Sequence, residues 1–237
     1  VNRLPLKSLY NTRELGGYFT NENKMTQYKR FLRSDAFSSI DDGDKEYLLD
    51  YGVRVVIDLR DTFETKKKPN AFENETGVAY YNIQLRGDED VVADPSNIDM
   101  QLMYYDLIDN SKNMGLIFKT MAKDADKGII AFHCTAGKDR AGLVAAILFM
   151  LAGVDKRDII ANYQVSHTYI APIIGDLFRI YPNYPMHVMQ SNPEWISNAV
   201  DHITDGYGGI KEYLISRGVT IEEIERIKHK MTDEEFM

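Results

Sequence analysis

Ile129-Ile-Ala-Phe-His-Cys-Thr-Ala-Gly-Lys-Asp-Arg140 runs without a break into Ala-Gly-Leu-Val-Ala-Ala-Ile-Leu-Phe-Met-Leu-Ala152. Residues 128–133 are β-branched, aromatic or small up to His133, which predicts a buried strand. Residues 140–152 are almost wholly apolar and close at Gly153, a residue suited to the left-handed position just past a helix, so they predict a central, buried helix. Between them lies a short loop in which Gly137 supplies backbone freedom. Amide N–H groups in a tight loop entering a helix N-terminus form a concave nest for an anion. Arg140 adds a planar fork that suits two oxygens of a tetrahedral oxyanion. The same positive field favours the thiolate of Cys134, its nucleophilic form. Nucleophile and anion cradle are thus expected in one element.

Outward from this stretch, residues 53–59 and 79–85 are two further short runs rich in β-branched and aromatic side chains, and they predict buried strands. Residues 41–51 predict a helix closed by Gly52. Residues 100–108 and 114–122 space their apolar side chains at three and four, as amphipathic helices do. Asp155 can cap a helix through Tyr163 or beyond. Residues 172–193 hold four prolines and several aromatics without a clean period, which predicts irregular or short-helical structure, a cover over a site. Residues 211–216 predict a helix up to Gly218, and Thr220-Ile-Glu-Glu223 is a capping box opening a last helix to about Met231. Strands alternating with helices imply an α/β fold, a central, largely parallel sheet flanked by helices, as one domain over residues 1–237. Residues 69–77 and 87–97 are expected as its main exposed loops.

The chain has 237 residues, is 44% hydrophobic and 27% charged, and so has globular rather than disordered composition. Cys134 is its only cysteine, which excludes an internal disulfide framework and suits a reducing compartment. The longest strongly apolar run, residues 141–154, is shorter than the ~20 residues of a membrane span and is interrupted by glycine, so no stable membrane insertion is expected. A net charge of −8 argues against nucleic acid as a partner. The expected location is cytoplasmic, or secreted if an N-terminal signal has been removed, since the sequence opens on Val1 rather than Met.

His-Cys-x5-Arg resembles the signature of the protein tyrosine phosphatase superfamily, and His133-Cys-Thr-Ala-Gly-Lys-Asp-Arg140 is similar to the loop of its bacterial branch of atypical tyrosine and lipid phosphatases. Asn11-Thr-Arg-Glu-Leu-Gly-Gly17 is similar to that branch's N-x-R-D-x-G-G motif, with Glu14 where Asp is usual. Val55-Val-Ile-Asp-Leu-Arg60 is similar to its D-L-R strand end, and Tyr207-Gly-Gly-Ile before Tyr213-Leu to its C-terminal part. The resemblance implies a cysteine-phosphatase-like fold and a phosphomonoesterase without a metal or other cofactor. Cys134 would attack phosphorus and form a phosphocysteine, while Arg140 would bind the equatorial oxygens and His133 would support the thiolate by hydrogen bonds. Thr135, Ala136, Gly137 and Lys138 would bind the substrate phosphate. Arg13 would touch the site, or else belong to a structural turn beneath the loop.

The leaving oxygen needs a proton donor. Asp139, within the loop, is the first choice, Asp58 its partner or alternative, and Asp88, after the strand at 79–85, the third. Ala141 departs from the superfamily pattern, which commonly has Ser or Thr there to stabilise the departing thiolate; Thr135 or a water would have to substitute. Lys138 would add charge at the pocket wall and favour multiply phosphorylated substrates such as phosphoinositides, although Thr135 stands where the lipid phosphatases have a second lysine. The aromatic-rich stretch 163–184 could line a deep slot for phosphotyrosine. The expected partners are therefore a phosphorylated protein or lipid, with phosphate or a similar oxyanion in the loop. A catalytically idle phosphopeptide-binding module competes with this reading, and a rhodanese-like or arsenate-reductase-like enzyme ranks lower. His167, His187, His202 and His229 lie at no metal-ligand spacing, and Lys66-Lys-Lys68 is a solvated stretch or a recruiter of acidic substrate.

Overall fold

Alternate residues of the strand at 129–133 enter two different cores. Ile130 and Phe132 pack in the larger apolar cluster and Ile129 and Ala131 in the smaller one, the period-two division that burial on both faces requires. The computed structural model describes residues 2–85, 98–180, 185–234 and 236. Five strands, β1 (Arg13–Glu14), β2 (Phe31–Ser34), β3 (Val53–Asp58), β4 (Ala79–Asn82) and β5 (Ile129–His133), form one sheet in the order β1-β2-β5-β3-β4. Only β1 pairs antiparallel; β2, β5, β3 and β4 run parallel. Ser34 and Asp58 both register on His133. The carboxyl ends of β2, β5 and β3 therefore finish side by side, the edge at which open parallel sheets hold their ligands.

Helices cover both faces. On the side of Val53, Val56 and Ala131, α1 (Asp42–Tyr51) places Leu48 against Phe37 and Phe72. Asp41 caps α1 and Gly52 ends it in the left-handed region at φ 114°, as the sequence predicts. A short helix absent from the sequence reading, α2 (Thr62–Lys67), follows β3 and opens with a complete capping box between Asp61 and Glu64. The other face holds α3 (Met100–Asp109), α4 (Met114–Lys123), α5 (Arg140–Ala152), α6 (Lys156–Tyr169), α7 (Ala171–Ile180), α8 (Met186–Met189), α9 (Pro193–Tyr207), α10 (Ile210–Ser216) and α11 (Ile221–Thr232). Helix α5 is buried on nearly every side and stops at Gly153 in the left-handed conformation. Both bonds of the Thr220–Glu223 capping box are present in α11.

One expectation is corrected, and one strand goes beyond the sequence reading. The stretch 172–193 is more regular than its prolines suggest: α7 is a ten-residue helix, and Pro193 is the first residue of a fifteen-residue helix capped by Asn192. Pro is compatible with that position because its missing N–H would have had no intrahelical partner. Strand β2 went unread because it has only four residues, one of them Arg33. Residues 87–97, expected as a loop and including Asp88, lie outside the described residues. No helix among the described residues is long and apolar enough to cross a membrane.

Candidate active site

Cys134 follows the last residue of β5 and is only 3% exposed. Behind it the loop is fastened by its carbonyls. Ala36 N–H donates to the Thr135 carbonyl at 3.1 Å, and the Asn11 side-chain amide donates to that of Ala136 at 2.8 Å. Arg33, buried in β2, donates from Nε to the Gly137 carbonyl and from Nη2 to the Lys138 carbonyl, both at 2.8 Å. In a planar trans peptide the N–H of the following residue points opposite to the carbonyl. Fastening the carbonyls of residues 135–138 to the protein body thus turns the amides of Ala136, Gly137, Lys138 and Asp139 the other way. Among the described residues no carbonyl or side chain accepts from these amides. Unpartnered amides in a tight loop at a helix N-terminus can serve as an anion nest. Gly137 adopts φ +66°, and a Cβ there would lie 2.5 Å from the Ser34 carbonyl oxygen.

Arg140, the first residue of α5, lies close enough to Cys134 for a thiolate there to favour its charged form. Burial opposes that charge, but the Glu64 carboxylate and the Cys134 sulfur outweigh it and raise the guanidinium pKa. Glu64, on α2, accepts from Arg140 Nη1 at 2.5 Å and Nη2 at 3.0 Å. Thr135 Oγ1 also donates to Glu64 and accepts from Arg140 Nη2 at 3.2 Å. Burial works against the Glu64 charge, yet the Arg140 fork and the Thr135 hydroxyl hold its pKa down to about 2. With one end of the guanidinium held by a carboxylate, the remaining N–H groups, Nε among them, are left for an oxyanion.

His133 is fully buried between sheet and loop. The Asn70 side-chain amide lies 2.7 Å from its Nε2 and 3.0 Å from Asp58 Oδ2. Because that amide nitrogen only donates, Nε2 accepts and the proton sits on Nδ1, which donates to the Cys134 carbonyl at 3.1 Å. Burial, the leading cause, lowers the His133 pKa, in keeping with a neutral ring that fixes the nucleophile's backbone.

The structure separates the two aspartates. Asp58 is wholly buried and paired with Arg60 through Nη2 at 2.7 Å and Nε at 2.9 Å. Burial would raise its pKa, but His133, the Arg60 fork and the Asn70 amide bring it down to about 2. The structure places Asp58 where it anchors Arg60 and, through Asn70, the His133 assembly. Asp139 is different. Its side chain is 24% exposed, and its Oδ1 accepts from Tyr104 Oη at 2.9 Å.

Two further expectations are revised. Lys138 does not offer its ammonium at the pocket wall: Nζ is spent on the Val188 carbonyl at 2.8 Å, the Gln190 carbonyl at 2.7 Å and Asp139 Oδ1 at 2.9 Å, and it lies over the Trp195 ring. Arg13 is no substrate ligand in this arrangement. Its fork is buried and consumed by the Asn11 carbonyl, the Asn162 carbonyl and Ser166 Oγ, at 2.9, 2.8 and 2.8 Å, so the N-terminal motif is the turn beneath the loop. Sequence reading missed Arg33, Glu64, Asn70 and Tyr104. Of these only Glu64 carries a local signal, the Asp61–Glu64 capping box. Among the described residues no group of His, Cys, Asp and Glu could hold a metal ion.

A strand, a short loop and a buried helix thus join Cys134 to Arg140 at the carboxyl edge of the sheet. Residues 4–233 match the tyrosine phosphatase family model, and the chain belongs to the tyrosine phosphatase family; it is a phosphatase, a hydrolase. It is 29% identical over 224 residues to a tyrosine-protein phosphatase of Nostoc commune, covering 85% of this chain and 74% of that one. A putative tyrosine-protein phosphatase of Cupriavidus necator is 26% identical over 233 residues, 89% of this chain and 82% of that one. The triple specificity protein phosphatase PtpB of Mycobacterium tuberculosis is 29% identical over 92 residues, 38% of this chain and 33% of its own. The crystal structure of P. aeruginosa TpbA overlays with a TM-score of 0.41 at 12% identity, over 80% of this chain and 86% of that one.

Proposed function

We propose that this phosphatase hydrolyses phosphomonoesters through a phosphocysteine on Cys134, with phosphotyrosine in proteins as its main substrate. The observation that carries the reading is the loop between Cys134 and Arg140, whose carbonyls are fastened to the protein body and whose amides have no partner among the described residues. In the first step the sulfur attacks phosphorus, the S–P bond forms and the P–O bond to the leaving group breaks, while Asp139 gives that oxygen a proton. In the second a water attacks phosphorus and gives its proton to the Asp139 carboxylate as the S–P bond breaks. The loop amides and the Arg140 N–H groups stabilise the charge on the equatorial oxygens in both steps.

One feature supports phosphotyrosine over multiply phosphorylated lipids. The Lys138 ammonium is bound to backbone carbonyls, so the loop lacks the extra cation that a second phosphate would require. Thr135 donates to Glu64, which also removes it as the substitute donor for the hydroxyl missing at Ala141. Ala141 and this bond together speak for turnover limited by phosphocysteine breakdown. The whole reaction is read as the work of one domain, since both apolar clusters share β3 and β5.

A phosphate-release screen across phosphotyrosine, phosphoserine and phosphothreonine peptides, phosphoinositides and inositol phosphates tests substrate class directly. Phosphotyrosine peptides are expected to give the highest kcat/KM. Phosphoinositides turning over faster would overturn the substrate assignment. Binding of phosphopeptides without release of phosphate from any of them would support the idle module instead.

A further inference from the structure

Tyr104 and Tyr163 are buried tyrosines whose hydroxyls meet under the active-site loop. Tyr104, on α3, lies on the same buried face as Met100, Leu107 and Ile108, where phenylalanine would pack as well. Its ring meets that of Tyr163, on α6, edge to face at 6.1 Å. The two hydroxyl oxygens are 2.9 Å apart, and Tyr104 Oη is 2.9 Å from Asp139 Oδ1. A phenol has one proton to give. Tyr163 also hydrogen-bonds Asp139, so both phenols meet the one carboxylate while their hydroxyls meet each other. Lys138 Nζ reaches the same Oδ1 at 2.9 Å, and Lys138 is itself immobilised by the Val188 and Gln190 carbonyls. The Asp139 side chain is 24% exposed and so partly open to solvent.

From this arrangement we propose that Tyr104, backed by Tyr163, is a positioning residue for Asp139. With Lys138 it holds Oδ1, so that the carboxyl is aimed before substrate arrives. The proposal rests on Asp139 being the proton donor. As the S–P bond forms and the P–O bond breaks, the proton moves from the Asp139 carboxyl to the departing oxygen and Asp139 is left a carboxylate. Pre-aiming a proton donor lowers the barrier where the leaving group needs the proton and does little where it does not. A hydroxyl that merely pins α3 and α6 to the loop would affect all substrates alike.

The test compares kcat/KM for phenyl phosphate, whose phenolate needs a proton, with that for p-nitrophenyl phosphate, whose phenolate leaves readily without one. Asp139→Asn is expected to lose about 10²-fold on phenyl phosphate and under about tenfold on p-nitrophenyl phosphate. Tyr104→Phe is expected to lose about tenfold on phenyl phosphate and less than about twofold on p-nitrophenyl phosphate, with no further loss in the Asp139→Asn background. Equal losses on both substrates, or losses that multiply in the double variant, would overturn the proposal. Should Tyr104→Phe fold poorly, Tyr163→Phe carries the same comparison, with about a threefold loss expected on phenyl phosphate alone and an equal loss on both overturning it. If Asp139→Asn itself fails to discriminate between the leaving groups, the assignment of Asp139 as donor falls first, and the positioning role falls with it. If only Asp139→Asn discriminates, the donor stands and the tyrosine role is refuted.

Discussion

At Gly137 the backbone turns through φ +66°, with the Ser34 carbonyl oxygen where a side chain would begin. A β-carbon meets both a left-handed conformation, costing about 1–2 kcal/mol, and a clash with main chain that cannot swing aside. Gly137→Ala should therefore lower unfolding stability by at least about 2 kcal/mol in urea titrations and weaken phosphate binding; unchanged affinity would mean that the cradle does not depend on this turn. Asp58 gives a pH signature. Its pKa is lowered from 3.8 to about 2, so its stabilising contribution is complete above about pH 5 and lost as pH falls through about 2. Asp58→Asn should flatten that acid limb of the stability profile, and it should destabilise the protein at neutral pH by about 3–5 kcal/mol by leaving Arg60 buried without its counter-charge. A variant with the parent's acid limb would place the titration elsewhere. At this scale the sequence was legible wherever chemistry is contiguous: His133, Cys134, Asp139 and Arg140 lie in one stretch. Arg33, Glu64 and Asn70 were not, because each reaches the loop from a different part of the chain and becomes its neighbour only when β2 and β3 flank β5.

The segment around α8 is coupled to the loop through Lys138. Lys138 holds the Val188 and Gln190 carbonyls, and His167 Nδ1 lies 3.1 Å from the Met189 carbonyl. Lys138→Met keeps much of the stem's packing and removes both ammonium bonds. Amide exchange of residues 188–192 should then accelerate by about tenfold or more, corresponding to the loss of one or two hydrogen bonds, while β5 stays protected. Exchange unchanged in that segment would show that Lys138 does not secure it. Elements with a strong period or a cap, such as α1, α5 and α11, could be read from sequence almost to the residue. Helices α7 and α9 could not, because prolines and aromatics obscure the period, and Pro193 signals a helix start as readily as a break. Helix α2 was hidden by its shortness, although its capping box is visible in Asp61-Thr-Phe-Glu64.

Across the whole molecule, an acidic chain of net charge −8 concentrates amide donors and one guanidinium at the carboxyl edge of a parallel sheet, next to its only cysteine. With no second cysteine to form an internal disulfide, a sulfenic acid on Cys134 can be oxidised further, react with an external thiol or condense with a backbone nitrogen to a sulfenamide. Mild peroxide should inactivate the enzyme, thiols should restore activity only after brief exposure, and inorganic phosphate should protect. Resistance to peroxide in the absence of phosphate would contradict a reactive thiolate at the floor of the cradle. The nature of the covalent step can be observed directly. The protein is mixed with p-nitrophenyl phosphate, quenched within a turnover and weighed intact by mass spectrometry, with peptide mapping to locate any adduct. Expected is one phosphoryl group on Cys134, absent from Cys134→Ser together with all turnover; a phosphoryl group on another residue, or a Cys134→Ser protein that still releases phosphate, would contradict it.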